Sequence, residues 1–213
     1  MTRTTVDPVP HLWWLASRAS GIVALVLVTI SVGIGLALAG KLTRKRGLGP
    51  KLTAVHEQTA LAGLIAIAVH GVTLLGDPWL HPGLAGITVP FALGYRTFFT
   101  GLGVLGGWLA ALLGLSFYIR RQIGPRLWRR LHRATVVVYL LAVIHVIGAG
   151  TDASTAWLRG FMVVTGIPIL FLFLRRVFGS APRPAPSPSH AEAARQARIA
   201  TRAARRVPAR EAA

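Results

Sequence analysis

Four histidines stand where a polar side chain is expensive to keep. His56 and His70 are fourteen positions apart, His132 and His145 are thirteen apart, and His70 and His145 are embedded in apolar runs. Ionisable groups inside a membrane are costly and mark function. At about 1.5 Å of rise per residue the two steps span about 21 Å and about 19.5 Å of helix. When the two host helices run parallel, His56 and His132 share one level and His70 and His145 share the other. Two stacked sites, each with one imidazole from each helix, suit two b-type haems held by paired histidines, one in each half of a bilayer. Tetrahedral zinc fits worse, because each level offers two ligands, with Glu57 the only carboxylate nearby. His11, His81 and His190 fall in loops or tails and take no ligand role.

The chain has no cysteine. Disulfides, thiolate haem ligation, iron–sulfur clusters, Cys-type zinc sites and covalent haem attachment are excluded together, so metal chemistry rests on the seven histidines. The pattern carries one geometrical tension. At about 100° per residue, a step of fourteen leaves two side chains about 40° apart in azimuth, whereas a step of thirteen leaves them about 140° apart. The helix that carries His132 and His145 therefore demands a local change of winding, a tilt, or haems at different edges of the helix pair.

The 213 residues are 53% hydrophobic and 14% charged, with 24 Lys+Arg against 6 Asp+Glu and a formal charge of +18. A mean hydropathy of +0.57 is too apolar for a basic soluble domain that binds nucleic acid, and the composition predicts an all-α integral membrane protein. Five runs are long enough to cross about 30 Å of hydrocarbon: Trp13 to Ala39, Ala54 to Leu75, Gly101 to Ile119, Ala134 to Gly150, and Ala156 to Leu174. The fourth is short, and its helix is expected to begin near Trp128. Gly83 to Gly94, interrupted by Pro90, is shorter than a span and reads as an interfacial or re-entrant piece, so the bundle has five helices and at most six. Ala37-Leu38-Ala39 has the look of a leader cleavage site, but the apolar region is too long for one and contains Arg18.

Twenty of the 24 cations fall after the first span, after the third span, or in the tail. By the positive-inside rule the N-terminus is outside and the C-terminus inside, in a multi-pass protein of the plasma membrane. Residues 1–12 form an extracytoplasmic segment, 13–176 the membrane domain, and 177–213 a cytoplasmic Pro/Ala/Arg-rich tail. In the tail, Pro182 to Pro188 alternate as an extended linker, and Arg195, Arg198, Arg202 and Arg205 recur at helical spacing. That stripe suits anionic lipid headgroups or a disordered solubilising tail. No internal repeat stands out. Gly101, Gly103 and Gly106 match GxGxxG formally, but no strand precedes them, and they read as helix-packing positions. Most of the six tryptophans sit at span ends as an interfacial belt.

The paired spacing of His56/His70 and His132/His145 resembles the ferric reductase-like transmembrane domain superfamily. That group includes ferric reductases, NADPH oxidases and the haem-binding subunit of methionine sulfoxide reductase systems. Leu131-His132-Arg133 and Ser17-Arg18-Ala19-Ser20-Gly21 support it more weakly, and the likeness covers roughly Trp13 to Arg176. It implies two b haems with His56/His132 as the inner axial pair and His70/His145 as the outer pair. The pattern departs from the family, which commonly has six helices with ligands on the third and fifth. No flavin or nicotinamide domain follows the last span, so the resemblance implies a membrane oxidoreductase component. A separate flavoprotein or a quinol would be its electron donor, with ferric iron or a partner reductase as its extracytoplasmic acceptor.

Haem propionates need cationic partners. Arg129, Arg130 and Arg133 are candidates for the inner haem, and Arg18, Arg96 and Arg159 for the outer one. Each Arg taken singly also reads as topology signal or phosphate anchor. Each ligand is expected to be neutral and to donate its second ring N–H to a carbonyl or hydroxyl, with Thr73, Thr135 and Tyr139 within reach. Two other functions stay open: a His-lined metal-ion or proton permease, disfavoured by the lack of intramembrane carboxylates beyond Glu57, and a haem-free membrane anchor or assembly subunit.

Overall fold

A computed structural model describes residues 11–40, 47–178 and, in the tail, 192–193, 196–197 and 199–201. The described residues are helical and contain no strand. Backbone proximity separates two units, Met1–Val177 and Phe178–Ala213. In the second unit the described residues are helical; the Pro182 to Pro188 linker and the Arg195, Arg198, Arg202 and Arg205 stripe lie outside them.

The first unit is built from α1 (Leu12–Ala39), α2 (Leu48–Leu74), α3 (Gly83–Thr88), α4 (Thr97–Leu115), α5 (Arg120–Ile123), α6 (Pro125–His132), α7 (Thr135–Ala149) and α8, which begins at Ala156. Five helices are long and apolar enough to cross a membrane: α1, α2, α4, the combined α6–α7 stretch and α8. Their outward faces carry side chains that water would not tolerate in such numbers, among them Val164, Ile167 and Leu112, each about two-thirds exposed. Lipid is the solvent for such a surface, and the chain is a multi-pass membrane protein.

The boundaries follow local chemistry. Helix α2 starts six residues before its apolar run, because Gly47 takes a left-handed φ of 81° and Pro50 falls in the first turn, where a missing N–H costs nothing. Helix α6 likewise opens on Pro125, somewhat earlier than Trp128. The Gly83–Gly94 patch folds back along α4 and does not form a sixth span. Its six-residue α3 ends at Thr88, whose carbonyl accepts a 2.7 Å hydrogen bond from Trp108 Nε1, eleven residues into α4 and so about 16 Å along it. The Phe91 ring lies where a Cβ on Gly101 would stand, so glycine is what lets the loop fold back against α4.

The tightest helix pairings are α1 with α2 and α4 with α7, and α1 also meets α7. Val32, Leu36, Val136, Tyr139 and Ile169 form one core where α1, α7 and α8 meet, while Ala110, Leu113 and Val138 form another between α4 and α7. Helices α2 and α7, which carry three of the four histidines, are not close-packed against each other. Between them a slot remains.

Candidate functional site

The four histidines face one another across that slot in two pairs. His56 and His132 have ring centroids 5.9 Å apart at an interplanar angle of 87°, and His70 and His145 have centroids 6.3 Å apart at 71°. These are the pairs expected from equal levels on parallel helices. A single metal between two imidazoles, with metal–nitrogen bonds of about 2 Å and about 1.15 Å from each nitrogen to its ring centre, places the centroids about 6.3 Å apart. Both separations suit that arrangement.

The hydrogen bonds determine which ring nitrogen is free. His56 Nδ1 lies 2.9 Å from the Ser31 carbonyl, His70 Nδ1 2.8 Å from the Ser17 carbonyl, and His145 Nδ1 2.9 Å from the Phe99 carbonyl. A carbonyl oxygen only accepts, so in all three rings Nδ1 carries the hydrogen and Nε2 keeps its lone pair. This is the tautomer an Nε2 metal ligand needs, fixed by a partner on a neighbouring helix. Thr73, Thr135 and Tyr139 do not supply these contacts. The Thr73 hydroxyl donates to Val69 and His70 carbonyls, the Thr135 hydroxyl donates to the His132 carbonyl, and Tyr139 pairs with Thr165 and Thr29. The threonine hydroxyls satisfy themselves on their own turn, whereas the Ser17 and Ser31 hydroxyls reach across the helix pair, each 3.0 Å from the Nδ1 of His70 and His56 and donating to the carbonyl of the same histidine.

Each of these rings also rests on a glycine four residues beyond the accepting carbonyl. A Cβ on Gly21 would stand 3.0 Å from His70 Nδ1, on Gly35 3.2 Å from His56 Cε1, and on Gly103 2.5 Å from His145 Nδ1. The α1–α2 hairpin thus contains a local repeat that the sequence reading missed. Ser17 and Gly21 cradle His70; fourteen residues on, Ser31 and Gly35 cradle His56, fourteen residues back along the antiparallel partner. Thr59 and Thr73, each three residues after its histidine, repeat the same pair of hydroxyl-to-carbonyl bonds. The signal was present as Ser-x-x-x-Gly on one span and Val-His-x-x-Thr on the next.

The azimuth problem on the second pair is reduced by winding. Between α6 and α7, Arg133, Ala134, Val136 and Val137 each donate to the carbonyl three residues back. A 3₁₀ step turns about 120° where an α step turns about 100°, so four such steps recover about 80° of the about 140° offset. His132 differs from the other three histidines. Its Nδ1 is buried without a hydrogen-bond partner, and its ring stacks on Trp128 at 4.9 Å and 22°, with Trp128 in turn meeting Phe117 edge-on at 6.2 Å.

Around His70 and His145 the slot opens into a cavity of about 700 Å³, lined mainly by apolar side chains. Ser17, Gly21, Gly103 and Leu158 are among its walls, with Arg18, Asp77 and Asp152 as its charged groups. Its polar economy suits a large, flat, mostly apolar group. Arg18 does not stand free for an anionic ligand: its guanidinium is bidentate to Asp152, whose side chain is 6% exposed, and lies over Trp14 at 5.0 Å. Arg96 donates to the Gly148 carbonyl and Arg159 to the Ala153 carbonyl, and neither lines the cavity. Arg129, Arg130 and Arg133 are exposed on and just after α6. Asp152→Asn weakens the Arg18 clamp that ties α1 to the α7–α8 loop. Because Arg18 is 38% exposed, the expected loss is about 1–2 kcal/mol, read as a lower detergent melting temperature; an unchanged melting temperature would show the pair to be structurally idle.

Among the described residues no group of three or more His, Asp or Glu converges as an ion site. The donor set is two imidazoles per level, which suits a metal whose equatorial ligands come with it. Fold and site together define a multi-pass helical membrane protein with two stacked, facing imidazole pairs. No family model matches the chain, and neither a curated protein nor a solved structure matches it.

Proposed function

We propose that this chain is an integral membrane di-haem b electron-transfer protein of the ferric reductase-like type. It would sit in the plasma membrane with its N-terminus out and its C-terminus in. The observation that carries the reading is the pair of facing imidazole sets, with three of four Nδ1 atoms committed to carbonyls and all four rings turned across an apolar slot. When bound, haem supplies a one-electron iron couple, and two histidines on each iron leave no position for a reactant, so the group relays electrons.

The chain's own residues do the rest. His56 and His132 hold the inner position and His70 and His145 the outer one. Ser17, Ser31 and Phe99 orient three of the rings through their carbonyls. Gly21, Gly35 and Gly103 let the rings stand against the neighbouring helix. The apolar walls exclude water from the outer position. The excess of cations on the loops after the first and third spans supports the orientation, and Arg129, Arg130 and Arg133, next to His132 in sequence, would be the propionate partners of the inner position. A separate flavoprotein or a quinol would donate on the cytoplasmic side, and ferric iron or a partner reductase would accept outside.

Proteoliposomes with dithionite inside and ferricyanide outside test the reading. The wild-type chain, loaded with haem, is expected to bleach external ferricyanide well above protein-free vesicles, and His145→Ala to bring the rate down to theirs. Equal rates for wild-type and empty vesicles would sink the electron-transfer assignment.

A further inference from the structure

The two levels share a plan but differ in their surroundings, and the difference has a direction. Resting on the di-haem reading, we infer that the His56/His132 level is the more oxidising of the two and the His70/His145 level the more reducing. At the outer level both imidazoles donate Nδ1–H to a backbone carbonyl, those of Ser17 and Phe99. At the inner level only His56 does so, to Ser31. His132 Nδ1 is buried with no acceptor, and the ring is held by stacking on Trp128. An Nδ1–H bonded to a carbonyl makes the imidazole a stronger electron donor and favours the oxidised metal. Two such bonds at one level against one at the other lower the outer potential relative to the inner.

Charge acts in the same direction. The outer cavity presents Asp77 and Asp152 with Arg18, and that one cation is already neutralised by Asp152. At the inner level Glu57 follows His56 and Lys51 precedes it by about one turn, while His132 lies between Arg129, Arg130 and Arg133. Added positive charge favours the reduced state, and added negative charge the oxidised one.

The asymmetry has a structural origin in α4. Thirteen residues beyond Phe99 and Gly103, matching the step back from His145 to His132, stand Leu112 in the last turn of α4 and Ser116 just past its end. Ser116 carries the Cβ that the other three cradles omit, and α4 ends one residue earlier, at Leu115. The carbonyl with a glycine one turn on that holds the other three rings is thus not repeated at this register, and His132 Nδ1 has no carbonyl partner. In consequence, the first electron to enter rests at the inner level, and the outer level fills second, on the side from which electrons are delivered.

An optical redox titration of the purified, haem-loaded full chain tests this. Two one-electron components of unequal midpoint are expected. His132→Ala should leave only the lower one and His70→Ala only the higher one. Gly21→Ala, which crowds His70 Nδ1, should shift the lower component upward and leave the higher one in place. A single midpoint for both, or the higher component surviving in His132→Ala, overturns the inference while leaving the di-haem reading intact. A chain that binds no haem overturns that reading and this inference with it.

Discussion

His145→Ala is expected to remove one of two haems and leave the other undisturbed, so the haem-to-protein ratio falls from two to about one while helix content is unchanged. The reason is geometric. His145 is paired with His70 alone, across 6.3 Å, and the other pair lies about 20 Å further along the helices. Sites that far apart with no shared partner respond independently. A haem at this level would be held by His70 alone, and the cavity would gain an open, apolar gap where the His145 ring stood. The double variants are more discriminating than the single ones. His70→Ala with His145→Ala strikes one site twice and should match either single change, whereas His70→Ala with His132→Ala strikes both and should leave none. If the two doubles retain equal haem, the pairing is wrong.

Gly103→Ala has an expected effect nearly as large, although it alters no ligand. A methyl group there stands 2.5 Å from His145 Nδ1, closer than atoms pack, so the ring must swing away and abandon the 2.9 Å bond to the Phe99 carbonyl. Losing such an outer partner costs a metal site about 10–100-fold in affinity, and the steric displacement adds about 1–3 kcal/mol of overpacking. The outer haem should therefore be lost or markedly weakened. Gly107→Ala, one turn on, is the matched control: its Cβ meets Ile67 at 3.6 Å, an ordinary contact, and should leave haem content alone. Gly35→Ala lies between, since its Cβ would stand 3.2 Å from His56 Cε1. A haem content in Gly103→Ala equal to that in Gly107→Ala would remove the cradle from the account.

The spans and the two histidine levels were legible in the sequence because both depend on quantities a single helix carries: apolar length and rise per residue. The five spans appear, with starts displaced by turn chemistry at Gly47 and Pro125 that an apolar run does not register. Pairing across equal levels followed from rise alone. Azimuth did not, because the change of winding at Arg133–Val137 is made by backbone hydrogen bonds that no side-chain pattern announces. A carbonyl or hydroxyl partner for Nδ1 was expected, and carbonyls are found, but not at the residues named: Thr73, Thr135 and Tyr139 do not serve, and the acceptors are main-chain carbonyls of Ser17, Ser31 and Phe99, each with a glycine one turn further on. Such a carbonyl is invisible in a sequence; the glycine beside it is not, and the fourteen-residue repeat of Ser-x-x-x-Gly against His-x-x-Thr was the available trace. Arg18 was correctly singled out as an unusual charge inside a span, but its partner, Asp152, is 134 residues away and could not be inferred from local pattern.

On the proposed function each facing imidazole pair would hold one haem. The most direct test is the haem-to-protein ratio of the detergent-purified full chain, with the dithionite-reduced minus oxidised spectrum recorded on the same sample. Two haems per chain are expected, with the sharp alpha band of low-spin, bis-histidine b haem. A purified, folded chain that shows no Soret absorption and takes up no haem on reconstitution would contradict it.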